Sequence, residues 1–257
     1  MRIAIGVEYD GSAFCGWQRQ HGQPSVQAAV EEALSRVADA PIEVVVAGRT
    51  DTGVHGLGQV AHFDTGAQRS VHAWVMGANA NLPKAVSLRW AMPVSEDFHA
   101  RFSATGRAYR YLILNRPQRP AVRRHFVSWV YPPLDEARMQ AAAELLIGRH
   151  DFSAFRASAC QAKHPVRELR RLQVRRQGEL LAIDAEANAF LHHMVRNLAG
   201  VLIAVGSGKQ PPAWAREVLE GRDRRLAGVT APPEGLYLTG VTYPAHFGLP
   251  CQPAEPW

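Results

Sequence analysis

Leu169-Arg-Arg-Leu-Gln-Val-Arg175 and Leu180-Leu-Ala-Ile-Asp-Ala-Glu-Ala187 flank the dipeptide Gln177-Gly178. Two strand-like runs joined by a short glycine-bearing link pair as antiparallel neighbours. Helical spacing follows at once: from Phe190 to Val205, Leu191, Val195, Leu198, Leu202 and Val205 share one stripe. The same mixture recurs on either side. Ile3 to Tyr9 reads as a strand closed by the turn Asp10-Gly11-Ser12, and Val26 to Ala38 as a helix with Ser25 as its N-cap. Ile42 to Val46, Val60 to Phe63 and Val86 to Ala91 read as strands, and Ala73 to Asn81 as a short helix. Tyr109 to Leu114 alternates as a strand. Asp135 caps a helix expected to reach Ile147 and stop at Gly148, and Leu236 to Tyr243 is a closing strand. Strand pairs beside one or two helices, without regular βαβ alternation, predict an α+β fold around antiparallel sheet. The expected division is residues 1–103, residues 104–243 and an irregular tail, 244–257, with four prolines.

Composition narrows the function. Of 257 residues, 47% are hydrophobic and 20% charged, which suits a folded globular chain. The net charge is +6, favouring a polyanionic partner. From Phe98 to Leu134 there is no acidic residue, while Arg101, Arg107, Arg110, Arg116, Arg119, Arg123 and Arg124 fall there. Lys163, Arg167, Arg170, Arg171, Arg175 and Arg176 form a second group, interrupted only by Glu168. Interleaved with Phe102, Tyr109 and Tyr111, these arginines point to phosphate and base contacts beyond a merely solvated face. Cys15, Cys160 and Cys251 are far apart and odd in number, which argues against a disulfide framework or a zinc site and fits a reducing cytoplasm. The N-terminal apolar run breaks at Glu8, too short for a signal peptide or a membrane span.

The most informative segment is Ala47-Gly-Arg-Thr-Asp-Thr-Gly-Val-His-Gly56, in which Val44-Val-Val46 feeds a turn flanked by Gly48 and Gly53. Asp51 stands at that turn. By spacing alone such an aspartate is ordinarily an Asx-turn residue. No P-loop lysine is present. Gly56-Leu-Gly-Gln-Val-Ala61 matches a dinucleotide fingerprint in letters, but strand-like residues follow where a helix must open, so we reject it. His192 and His193 are adjacent and expected to diverge on a helix, and no histidine stands at metal spacing with a Cys or carboxylate, so no metal is implied.

Several separated motifs, in order, carry a resemblance. They are Tyr9-Asp-Gly-Ser-Ala-Phe-Cys-Gly-Trp-Gln-Arg19, the Asp51 turn, Asp97-Phe-His-Ala-Arg-Phe-Ser103, Arg107-Ala-Tyr-Arg-Tyr111, Gly148-Arg-His-Asp-Phe152, Phe190-Leu-His-His-Met-Val-Arg-Asn197 and Pro233-Glu-Gly-Leu-Tyr237. With them the chain resembles the tRNA pseudouridine synthases of the A type. Ala108 departs from that pattern, standing where a second basic residue is expected. The resemblance implies two α/β halves sharing a continuous antiparallel sheet with a central active-site cleft. It implies an isomerase that turns uridine into pseudouridine at tRNA positions 38 to 40, acting as a homodimer without cofactor or metal. By residue, it implies Asp51 as the catalytic aspartate, Arg196 as its partner, Tyr109 as the ring stacking on the target base, and Arg49 as a grip on the flipped nucleotide. Arg107 and Arg110, beside Tyr109, are expected to bind the RNA. Periodicity sets Arg196 off the apolar stripe of its helix, which fits either a cleft or plain solvent. An RNA-binding module without catalysis would explain the arginines but give Asp51 no role.

Overall fold

The computed structural model describes residues 1–158 and 160–250. The chain divides into two compact units, Met1–Gly106 with the chain from Tyr237 onward, and Arg107–Leu236. Among the described residues there are ten strands and five α-helices, a mixed α/β fold.

In the first unit, β1 (Arg2–Tyr9) lies between β3 (His55–Asp64) and β4 (Val86–Val94), antiparallel to both. The strand expected from Ile42 to Val46 shrinks to β2 (Val45–Val46), which pairs with the far end of β3. β1 is buried almost throughout because both of its faces are covered. Ile3, Ile5, Val7 and Tyr9 join the core formed with α1 (Val26–Ala38) and α2 (Val71–Asn81), whereas Ala4 joins a smaller cluster with Phe98 and Ala100. Helix α1 matches its expected bounds, and the Ser25 hydroxyl accepts from Ala28 N. The last strand, β10 (Leu236–Thr242), corrects the expected division. From Tyr237 it belongs to the first unit, parallel to β3 at Tyr237–His55 and Leu238–Gly56. Periodicity announces a strand but not its partner. The supposed tail also begins in order: Ala245–Phe247 form a 3-10 turn, and Phe247 and Leu249 pack on the Phe98 cluster. The rest of that tail, including Cys251, lies outside the described residues.

In the second unit the strand order is β5 (Gly106–Asn115), β9 (Leu180–Ala187), β8 (Val166–Gln177) and β7 (Gly148–Asp151), all antiparallel. A short β6 (Ser128–Val130) runs parallel to β5. The β8–β9 hairpin turns at Gly178, whose φ of 60° is left-handed. Within each unit, among the described residues, strand pairing is antiparallel except at β3–β10 and β5–β6. Helix α3 (Glu136–Glu144) has the expected Asp135 cap but ends before Ile147, since Gly148 already opens β7. Helix α4 (Met194–Gly206) starts later than its apolar stripe suggests. His193 takes a left-handed φ of 62° instead, so the rings of His192 and His193 lie 4.1 Å apart and do not diverge. Periodicity missed β6, β7 and α5 (Trp214–Gly221), all short.

Candidate active site

Asp51 lies half-buried in the link between β2 and β3. That link is fixed by its own turn and by the segment after β1. Val54 N donates to Asp51 O at 3.1 Å, and Gly53 takes the left-handed φ of 77° that closes the turn. Trp17 N donates to Thr50 O at 3.0 Å, and Tyr9 Oη is hydrogen-bonded to Thr50 Oγ1 at 2.8 Å. Gln59 Nε2 donates to Gly48 O at 2.8 Å. Gly16, with φ 87°, brings its backbone so close that a Cβ there would stand 2.6 Å from Thr50 O. Gly48 has no such constraint; a Cβ there meets nothing. Tyr9 is wholly buried, and burial pushes its phenol up to about 12 against the opposing bonds of Thr50 and Gln59. The Asp51 turn thus rests on neutral hydrogen bonds and close backbone packing, each from a residue that cannot shift without opening core.

Arg49 is exposed, and among the described residues its guanidinium has no hydrogen-bonding or ionic partner. The strand after Gly53 is β3, so Gly56 to Ala61 is extended where a dinucleotide fingerprint would need a helix. At its start His55 Nδ1 accepts from Gly11 N at 3.1 Å, and the His55 ring stacks on Tyr237 at 4.7 Å.

The other expected site residues belong to the second unit. Along β5, side chains alternate between faces. Arg107 and Tyr109 share one face with buried Tyr111, and Ala108 and Arg110 share the other. Tyr109 is half-buried and meets Phe190 edge-on at 5.1 Å. Arg107 Nη1 donates to Asn188 O at 3.1 Å. Arg110 is only 7% exposed and forks onto Asp184, Nε to Oδ1 at 2.6 Å and Nη2 to Oδ2 at 3.2 Å. Arg175 reaches the same carboxylate from β8. Burial opposes ionisation of Asp184, but the hydrogen bonds and charges of Arg110 and Arg175 outweigh it and hold the carboxyl below its usual range. Arg110 is thus set inside an ionic cluster with Asp184 and Arg175.

Arg196 projects from the first turn of α4, half-buried, and its Nε donates to Ala231 O at 2.8 Å. Ala231 N returns a bond to Arg196 O at 3.1 Å. Gly200, one turn on, allows this approach: a Cβ there would sit 1.9 Å from Val229 O. Asn197 and Thr230 add a side-chain bond of 2.7 Å. Several other arginines are paired internally, Arg116 with Glu179, Arg170 with Glu168 and Arg176 with Glu136.

The supports Tyr9, Gly16, Trp17 and Gln59 carried no signal of their role in periodicity. The nearest hint was the glycine and tryptophan of the Tyr9–Arg19 motif, and only the fold shows that this segment braces the Asp51 turn.

A family model described as tRNA pseudouridine synthase matches residues 5–103 and 142–244. The chain belongs to the tRNA pseudouridine synthase family. It is an isomerase of that family. Among its relatives, the tRNA pseudouridine synthase A of Nitrosococcus oceani is 58% identical over 259 residues, covering 100% of both chains. That of Alcanivorax borkumensis is 56% identical over 99% of this chain and 96% of the relative, and that of Coxiella burnetii 56% over 100% and 98%. A solved Cbf5-Nop10-Gar1 complex aligns with a TM-score of 0.35 and 12% identity over 78% of this chain and 45% of that one, a likeness too slight to carry an argument. Among the described residues no helix is long and apolar enough to cross a membrane.

Proposed function

We propose that Asp51 is the nucleophile of a uridine-to-pseudouridine isomerisation at positions 38, 39 and 40 of tRNA. The reading is carried by the setting of Asp51: a half-buried carboxylate on a backbone-locked turn, in a chain of this family. The reaction breaks the bond between uracil N1 and ribose C1′, turns the base, forms a bond from C5 to C1′, and releases the C5 proton to water while N1 takes up a proton. Nothing is oxidised or hydrolysed overall, so side chains alone can serve. An ionised carboxylate can attack an electron-poor centre and leave again, or assist the elimination that frees the base. Arg196 is proposed as the guanidinium that keeps Asp51 charged when water is excluded. Tyr109 offers a ring for the extruded base, whose release from a stem costs a few kcal/mol. Arg49 and Arg107 are proposed to hold the backbone beside it; Arg110, committed to Asp184, is not. The enzyme is proposed to work in the cytoplasm as a homodimer, which light scattering at micromolar concentration tests.

The decisive experiment uses tRNA labelled with tritium at uracil C5. Release to water, with pseudouridine mapped to positions 38 to 40, is expected. No release refutes the isomerase reading, and modification mapped elsewhere refutes the positions.

A further inference from the structure

The loop from Phe98 to Ser103 is held by a dense set of hydrogen bonds. Phe98 is fully buried against Tyr243 and Phe247, with ring centroids 5.2 and 5.1 Å away. Arg2 Nη1 donates to Phe98 O at 2.8 Å. Ala100 is clamped on both sides: its N donates to His62 Nδ1 at 3.1 Å, and its O accepts from Tyr243 Oη at 2.6 Å. His99 Nδ1 accepts from the backbone N of both Arg101 and Phe102 at 3.2 Å. Ser103 closes the loop, its Oγ accepting from His99 N and its N donating to His99 O, both at 2.9 Å.

This frame holds one large apolar side chain outward. Phe102 is 76% exposed. A single exposed Phe is ordinary on a protein surface; its setting here is not. The inner face of the ring stacks on His99 at 4.3 Å and 29°, and His99 in turn meets buried His62 at 5.0 Å. Burial lowers the pKa of both histidines, with help from the Arg2 charge, so this column is uncharged at neutral pH. Arg101 Cζ lies 5.7 Å from the Phe102 ring centre, and the charges that act on His99 are those of Arg2 and Arg101, both cationic. A neutral π-stack ending in solvent beside a guanidinium matches an unpaired base followed by its phosphate. The matching occupant is RNA, because the chain belongs to a tRNA-modifying family and a guanidinium, that of Arg101, stands beside the exposed ring.

We propose that Phe102 is a stacking platform for an unpaired base of the RNA substrate, with Arg101 on the adjoining phosphate. The proposal rests on the tRNA-modifying reading above. It is tested on the full-length protein with intact tRNA. Phe102→Ala should weaken binding roughly five- to hundredfold, the range of one base–aromatic stack. Phe102→Trp should bind as wild type does. Phe102→Leu keeps apolar bulk without a π-face and should lose nearly as much as Phe102→Ala. The salt dependence of binding should be unchanged in Phe102→Ala, whereas Arg101→Ala should lower its slope by about 0.7, the single-strand value of one phosphate contact. The melting temperature of Phe102→Ala should match wild type, since the ring is exposed. Wild-type affinity in Phe102→Ala, or in Phe102→Leu, overturns the platform. A fall in solution mass for Phe102→Ala would assign the ring to a protein contact and also overturn it. Tritium release by the wild type separates the two readings. If it occurs while Phe102→Ala binds normally, only the platform fails; if it does not occur, the isomerase reading fails.

Discussion

The Asp51 turn and the polar face of the β5–β9–β8 sheet solve opposite problems. Around Asp51 the supports are uncharged: a phenol on a threonine, an amide on a carbonyl, a glycine against a backbone. On the sheet face, Arg110 and Arg175 converge on Asp184, whose carboxylate offsets part of their charge. Composition credits every arginine to RNA binding, yet these two hold the second unit together. Neutral, over-determined geometry positions Asp51. Charge does two separate jobs, one internal and one at the surface, where Arg119 and Arg123 stand exposed with no ionic partner among the described residues.

The sharpest test of that contrast is Asp51→Asn. Turnover should fall by more than about a thousandfold, as loss of a nucleophile does, while tRNA affinity stays near wild type because phosphate contacts supply it. Single-turnover tritium release and equilibrium binding measure the two; wild-type turnover would remove Asp51 from the nucleophile's role. Next in size, Arg110→Ala strips a partner from a buried carboxylate, a change of about 3–5 kcal/mol when nothing compensates. Arg175 remains, so urea unfolding should show a loss near the lower end, with tRNA affinity of the folded protein unchanged. Unchanged stability with weakened binding would return Arg110 to the RNA surface and break the comparison.

Tyr9 gives a pH-dependent test. Its phenol is raised from 10 to about 12 in the folded protein, so the folded state keeps a proton that the unfolded chain releases. The stability this confers is fully present below pH 10 and is lost as pH climbs towards 12. At about 1.36 kcal/mol per pH unit, the change approaches 3 kcal/mol. The stability difference between wild type and Tyr9→Phe, followed from pH 8 to 12, should shrink over that window; a flat difference would mean the phenol is not buried as described. Gly16→Ala combines a left-handed backbone with a contact on Thr50 O, and should cost about 1–3 kcal/mol. Its turnover should fall further than its tRNA affinity, and equal losses would show that the turn is not what Gly16 supports. The smallest effect is expected from Arg123→Glu with Arg124→Glu. Stability should hold, while the slope of log affinity against log salt flattens by up to about 1.8, for two phosphates. An identical slope would place the RNA track elsewhere.

Much of the fold was legible where a segment's own residues decide its state. Ser25 and the apolar spacing of Val26, Val30 and Leu34 fixed α1 to the residue, and Gly178 fixed the hairpin. What failed was set at a distance. The start of α4 moved because His193 turns left-handed, although the apolar stripe continues through Leu191. β6, with three residues, and β7, with four, are too short for alternation to register. The candidate site divides the same way. The turn carrying Asp51 was marked by its flanking glycines, but the aspartate was singled out only by the resemblance, and the bracing by Tyr9, Trp17 and Gln59 is a tertiary fact. For Arg110 the letters alone cannot say that Asp184 lies opposite it across the β5–β9 ladder.

The return of β10 to the first unit bears on synthesis. A ribosome delivers residues in order, and domains generally form as their sequence emerges. Here the whole of Arg107–Leu236 is made before Tyr237 appears, so the unit encoded in the middle can finish first. Until then β3, the strand that follows the Asp51 turn, is paired at Gly56 only with Tyr9 of β1 and lacks the parallel neighbour that β10 supplies, and an open strand edge invites wrong partners. A nascent chain cut short before Tyr237 would therefore carry a complete second unit and a first unit whose β3 edge is still open.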